Sequence, residues 1–185
     1  MRGPLGMVAA EALASELGFV RSEERTLDTE AGWRVERDWV MDSGLKLVMV
    51  DDGVAGVQFV QVFGGESSDV TEIGLALEDY LNPYSYEDLL AACHDMADPK
   101  AKPQAVVRLG LGAPPAPDPD FSGCIAEALD SEDRKLREAG LWAASYYALR
   151  DFFPRIEKIA GDDPEQEVMD MAEDLAGVYR QGGLG

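Results

Sequence analysis

The segment DSEDRKLREAGLWAASYY, Asp130 to Tyr147, and the segment DDPEQEVMDMAEDLAGVY, Asp162 to Tyr179, carry one pattern. Leu136, Ala139, Gly140, Ala143, Ala144 and Tyr147 fall at i, i+3, i+4, i+7, i+8 and i+11, a single helix face. A shift of 32 residues places Val168, Met171, Ala172, Leu175, Ala176 and Tyr179 on the same face of a second helix. The helices before them agree as well. Phe121, Ile125, Ala128 and Leu129 map by 31 residues onto Phe152, Ile156, Ile159 and Ala160, with Asp130 and Asp162 marking the turns. Two aligned stripes with one helix–turn–helix rhythm predict a structural repeat of about thirty residues.

An earlier copy is predicted over 86–97 and 101–113, where VVRLG (106–110) matches KLREAG after a shift of three residues. Its following loop, APPAPDPD, is long and rich in proline. Gly140 points to close packing. A helix-interior glycine costs about 1 kcal/mol relative to alanine, so its place among Ala139, Ala143 and Ala144 predicts a neighbouring helix backbone nearby.

At these residues the chain resembles the HEAT-repeat family. Its members pair two antiparallel helices per repeat, with a turn often bearing Asp and an apolar–Arg–x–x–small pattern opening the second helix. LREAG (136–140) fits that pattern, VRLGL (107–111) keeps Arg108, and VMDMA (168–172) has Met169 where Arg is usual. The resemblance spans about residues 85–180. It implies a helical scaffold for protein binding without catalysis of its own.

The first part of the chain has a different period. After a helix over 7–17, bearing Val8, Leu13 and Leu17 and closed by Gly18, the segment GWRVERDWVM alternates. It puts Trp33, Val35, Arg37, Trp39 and Met41 on one parity. LKLVMV presents Leu45, Leu47 and Met49, and VQFVQVF presents Val57, Phe59 and Phe63. DSG and DDGVAG supply turn residues between them. The expectation is a three-stranded antiparallel meander over 32–64, with a second face holding Val40, Val48, Val50, Val60 and Val62 and needing its own cover. A helix with the stripe Val70, Ile73, Leu77 and Tyr80 follows, opened by a capping box of Asp69 and Glu72. Ser85 and Asp88 cap the next helix, which carries Leu89, Leu90, Cys93 and Ala97. The fold class expected is α+β, with a helix and meander over 7–66 and a HEAT-like helical region over 67–182, packed together as one compact unit.

Charge narrows the function. Sixteen basic residues stand against 36 acidic ones, a net charge of −20, and no Lys or Arg occurs between Lys46 and Lys100. Such a field repels nucleic acid and anionic membranes and favours a basic protein partner or, more simply, solubility. Cys93 and Cys124 lie far apart without metal-ligand spacing, which suits free thiols in a reducing cytoplasm. The start of the chain, interrupted by Glu11 and Glu16, makes a poor secretory signal, and residues 1–6 are set apart from the fold argument.

The chemistry the sequence offers is sparse. His94 is the single histidine, beside Cys93 and Asp95, and adjacent helix positions do not face one point. GLGAPP (110–115) lacks the third glycine of a dinucleotide loop, and the acids at 118–120 lack the glycine and terminal Glu of a calcium loop. No metal or cofactor is expected. Two clusters suit recognition: Trp33, Arg37 and Trp39 on one strand face, and Trp142, Tyr146 and Arg150 at i, i+4 and i+8. Burial in the core is the alternative for both. The leading expectation is a non-enzymatic, cytoplasmic interaction module with an acidic surface, including an inhibitor or immunity-type protein for a basic partner. A second copy of the chain could also serve as partner. The alternative is a small-ligand-binding protein or enzyme with a site between sheet and helices, where His94, Arg37 or Arg108 would converge.

Overall fold

A computed structural model describes residues 5–29, 32–53, 56–95 and 97–185. It is α+β and divides into two compact units, Met1–Tyr84 and Ser85–Gly185. The boundary falls after the helix expected to open the second part, because that helix packs on the first unit.

The first unit contains α1 (Leu5–Glu16), β1 (Val20–Thr29), β2 (Gly32–Val40), β3 (Lys46–Asp52), β4 (Val57–Phe63) and α2 (Ser67–Leu81). The strands form one antiparallel sheet in the order β1-β2-β3-β4. The sheet thus has four strands, not three. The additional strand, VRSEERTLDT, lies at the sheet edge, and its side chains from Val20 to Asp28 are exposed. It lacks the apolar alternation of a half-buried strand. Its register rests instead on opposite charges across the ladder: Arg25 faces Glu36 and Glu24 faces Arg37. A charged edge also discourages pairing with another sheet.

Pairing of Trp39 with Leu47, Leu47 with Val62, and Met49 with Val60 defines the core face. Met7, Ala10, Leu13 and Ala14 of α1 and Leu77 of α2 pack into the same cluster as Trp39, Leu47 and Met49. The strand β4 is therefore in the opposite phase from the expected one. Val60 and Val62 face the helices, while Val57, Phe59 and Phe63 share the other face with Val48 and Val50. VQFVQVF is apolar on both parities, so the period alone does not fix its phase. Val8 is exposed, and α1 turns Met7 and Ala10 inward instead. On α2, Tyr80 is half exposed and Leu81 takes its place in the stripe. The helix begins at Ser67 with no side-chain cap, so Asp69 and Glu72 form no capping box.

The second unit comprises α3 (Tyr86–His94), α4 (Lys102–Leu111), α5 (Pro119–Leu129), α6 (Arg134–Tyr146), a 3-10 turn (Arg150–Phe152), α7 (Phe153–Asp162) and α8 (Gln166–Gln181). Consecutive helices pack as α3 on α4, α5 on α6 and α7 on α8. The pairs then join in two layers, α3–α5–α7 and α4–α6–α8. The capping box at Ser85 and Asp88 is present, with Asp88 N donating to Ser85 Oγ at 3.1 Å and Ser85 N to Asp88 Oδ2 at 2.9 Å.

Of the six aligned stripe positions, four are buried in both helices: Gly140/Ala172, Ala143/Leu175, Ala144/Ala176 and Tyr147/Tyr179. Leu136 is half-buried where Val168 is buried, and Met171 is half-buried where Ala139 is buried. The preceding helices hold Phe121/Phe152, Ile125/Ile156 and Ala128/Ile159 in matching buried places, with Phe152 in the 3-10 turn. The paired tyrosines repeat a contact too. Tyr147 Oη donates to Ala116 O at 2.9 Å and accepts from Asp118 N at 2.6 Å, while Tyr179 Oη donates to Ala144 O at 2.8 Å. Each fastens its helix to backbone of the preceding pair or its exit loop.

Two glycines set the helix spacing. A Cβ on Gly140 would lie 2.9 Å from Leu129 N, and one on Gly110 would lie 2.5 Å from Ala143 Cα. The first is the close approach within α5–α6 that the alanine-rich stripe predicts; the second draws α4 onto α6. Gly140→Val and Gly110→Val are each expected to cost about 1–3 kcal/mol by overpacking. Gly161→Ala, where a Cβ meets nothing within 4 Å, is expected to stabilise by roughly 0.5–1 kcal/mol. Urea unfolding of the three variants checks this contrast; equal effects in all three would contradict the close approach.

Candidate functional site

The expected aromatic–cationic strand patch is not assembled as a free surface. Trp39 is buried in the core cluster, and the cation over its ring is Arg21, 5.7 Å from the centroid, rather than Arg37. Arg37 donates to Glu24 at 2.7 Å and pairs with Glu11 at 3.5 Å. Trp33 remains 44% exposed, its indole lying over Gly53, where a Cβ would come within 2.6 Å of the ring. In the second unit Trp142 and Tyr146 stack with centroids 6.3 Å apart, both half-buried along α6. Arg150 does not continue their row. The helix ends at Tyr146, and Arg150 donates to Gly185 O at 3.1 Å from the 3-10 turn.

The other sheet face carries a charge ladder instead. Buried Asp38 accepts from Arg25 at 3.2 Å and from Lys46 at 2.6 Å. Buried Asp52 accepts from Arg34 at 3.1 Å, and Arg34 also pairs with Glu36 at 2.8 Å. Arg21, Arg25, Arg34, Arg37 and Lys46 are thus all engaged with acids inside this unit. Residues 1–84 hold six basic and 16 acidic side chains, so the acids outnumber every available cation.

The surplus surfaces on α2. Glu72, Leu75 and Asp79 fall at i, i+3 and i+7 on one exposed ridge, flanked by Glu78 and Tyr80. Leu75 is 57% exposed and Tyr80 50%. Among the described residues none of Glu72, Glu78 and Asp79 has a basic partner. An apolar side chain bracketed by unpaired carboxylates offers both contact area and directional charge to a partner.

In the second unit the dominant polar feature is a buried ion pair. Arg137 Nε donates to Asp163 Oδ2 at 2.5 Å and its Nη2 donates to Asp163 Oδ1 at 2.9 Å. Its Nη1 donates to the carbonyls of Ser131 and Glu132 at 3.1 and 2.8 Å, and Asp163 also accepts from Glu165 N at 3.0 Å. Arg137 thereby joins the turn of its own pair to the turn of the next. The sequence marks the arginine of LREAG, and the acid it pairs with, Asp163, directly follows the turn residue Asp162. Burial pushes the Asp163 carboxyl upward, and the Arg137 hydrogen bonds and charge with the Glu165 N–H overcome this and hold it below the usual range. Beside the pair lies an open depression of about 340 Å³ lined by both signs of charge. Within it Arg155 is tied to Asp130 at 2.9 Å and Arg137 to Asp163.

His94 sits at the last turn of α3, exposed, with Nε2 3.7 Å from Cys124 Sγ. The partner comes from α5, which spacing along the chain does not reveal. Among the described residues no group of three or more His, Cys, Asp or Glu side chains could hold a metal ion, and no helix is long and apolar enough to cross a membrane. Compared with family models, curated proteins and solved structures, the chain matches none.

Removing one member of the buried pair leaves the other charged and unpartnered. Arg137→Leu is expected to cost about 3–5 kcal/mol. Because the Asp163 pKa is depressed in the folded state, its stabilising contribution is complete above the unfolded value of about 4 and is lost as pH falls through the folded value. Urea unfolding across pH should show the gap between native chain and Arg137→Leu narrowing in acid. A gap independent of pH would contradict this linkage.

Proposed function

We propose that this protein acts by binding another protein, without chemistry of its own, in the reducing environment of the cytoplasm. The observation that carries the reading is the α2 ridge, where Leu75 stands among Glu72, Glu78 and Asp79, none of which has a basic partner among the described residues. The partner it suits is a basic protein surface with an apolar contact for Leu75 and Tyr80; a basic enzyme or toxin held inactive is one such partner. The three helix pairs, with their two-layer packing, matching buried positions and Arg137–Asp163 link, support a HEAT-like array acting as scaffold. Electrostatic steering then sets the association rate, while the apolar contacts set residence time.

Affinity capture from native cells, at low and moderate salt, tests the reading. A basic protein is expected at low salt and is expected to diminish as the Debye length shrinks below about 8 Å. Glu72→Lys with Asp79→Lys should weaken capture roughly tenfold and leave stability within about 0.5 kcal/mol. Partners retained equally by the native and charge-reversed chains at high salt would overturn the assignment.

A further inference from the structure

The two edges of the sheet are built differently. β1, VRSEERTLDT, carries five charged side chains and a bulge between Arg21 and Glu23, and both obstruct pairing with a further strand. β4, VQFVQVF, lies at the opposite edge and holds no charge, proline or glycine. Among the described residues no further strand pairs with its outer side. A segment of seven uncharged residues with high β-propensity is the kind that strand pairing favours. Alternate residues of an edge strand turn their N–H and C=O groups away from the sheet. The C-terminal end of β4 is open to solvent: Gln61 is exposed and Phe63 is 46% exposed. Val60 and Val62 are partly buried against the core cluster.

Charge selects what can add there. α2 packs on β4, and from Val57 to Leu81 the chain holds Glu66, Asp69, Glu72, Glu78 and Asp79 with no Lys or Arg. Lys46, 5.7 Å from the Phe63 ring centroid, is already paired with Asp38. Two copies joined at this edge would bring both sets of acids together, and like charges oppose that pairing. A basic strand is drawn in by the same acids. We propose that the outer edge of β4, at Val60–Phe63, accepts an extended basic segment of the partner protein as a fifth strand of the sheet. Main-chain hydrogen bonds supply the attachment, and alternate side chains supply the selection. Apolar residues of the segment continue the rows of Val62 and Phe63 across the sheet, and its Lys or Arg residues answer the acids of α2. This mode of attachment rests on the binding of a basic protein proposed above.

Titrating the full, isotope-labelled chain with a peptide of about ten alternating Lys and Val residues tests this through the backbone amide resonances. Shifts centred on Val60–Phe63 are expected, with slower hydrogen exchange at the same amides. The peptide methylated at every backbone nitrogen keeps its side chains but loses its donors, and is expected to bind at least about tenfold more weakly. Gln61→Lys places a like charge on the exposed edge. It should weaken the unmodified peptide about tenfold and leave the urea midpoint of the chain unchanged. Binding that survives backbone methylation and Gln61→Lys, yet is lost in Glu72→Lys with Asp79→Lys, keeps the α2 ridge as the contact and overturns strand addition. A native dimer whose amide shifts on dilution fall at Val60–Phe63 assigns the edge to a second copy and overturns the basic occupant. Absence of any shift on β4 overturns the proposal as well.

Discussion

Close approach of helix backbones is the constraint on which the second unit depends. Gly110 against Ala143 and Gly140 against Leu129 leave no room for a β-carbon, and Ala143 and Ala144 are fully buried beside them. Apolar side chains such as Phe121, Ile125, Leu141 and Ile156 fill the core around these contacts, and polar contacts add to the register. The tyrosine hydroxyls supply one, capturing backbone groups across pairs at Ala116, Asp118 and Ala144. Arg137 supplies another, spanning two turns with four hydrogen bonds. A fork of fixed geometry is suited to this, because a displaced turn would break several bonds at once.

The first unit solves a different problem. A strand as charged as β1 contributes little to the core and is retained by cross-strand pairing. Its cations are drawn into the sheet, with Arg25 reaching Asp38 and Glu36, and Arg21 lying over Trp39. The consequence is electrostatic. Each cation used to neutralise a sheet carboxylate is unavailable to α2, where Glu72, Glu78 and Asp79 have no basic partner among the described residues. The exposed acids of α2 and the ion pairs that hold the sheet edge are therefore two results of one distribution of charge.

Much of this was legible in the chain. The repeat was readable because Ala, Gly and Tyr recur at helical spacing, and Gly140 announced a close backbone by its cost in a helix interior. The strand β1 was not readable by hydropathy, since VRSEERTLDT buries none of its described side chains. Its signal was the complementarity of Glu24 with Arg37 and of Arg25 with Glu36, which becomes visible only once a hairpin register is assumed. The phase of β4 was ambiguous because Val and Phe occupy both parities. Arg150 fell out of its predicted row because extrapolating i+8 presumes a helix that continues past Tyr146.

The side-chain clusters were the least legible, for a general reason. Periodicity reports which residues share a face, but not which face of another helix it meets. His94 and Cys93 diverge as neighbours on α3, and read alone they exclude a common site. Cys124 meets His94 from α5, one helix pair later, and only the packing of α3 on α5 brings it there. Arg137 and Asp163 meet across pairs in the same way. In a repeat array these meetings have a regular separation, close to the repeat length itself. Residues of complementary chemistry roughly one repeat apart are therefore the pairs to seek once a period is known: His94 and Cys124 stand 30 residues apart, and Arg137 and Asp163 stand 26 apart.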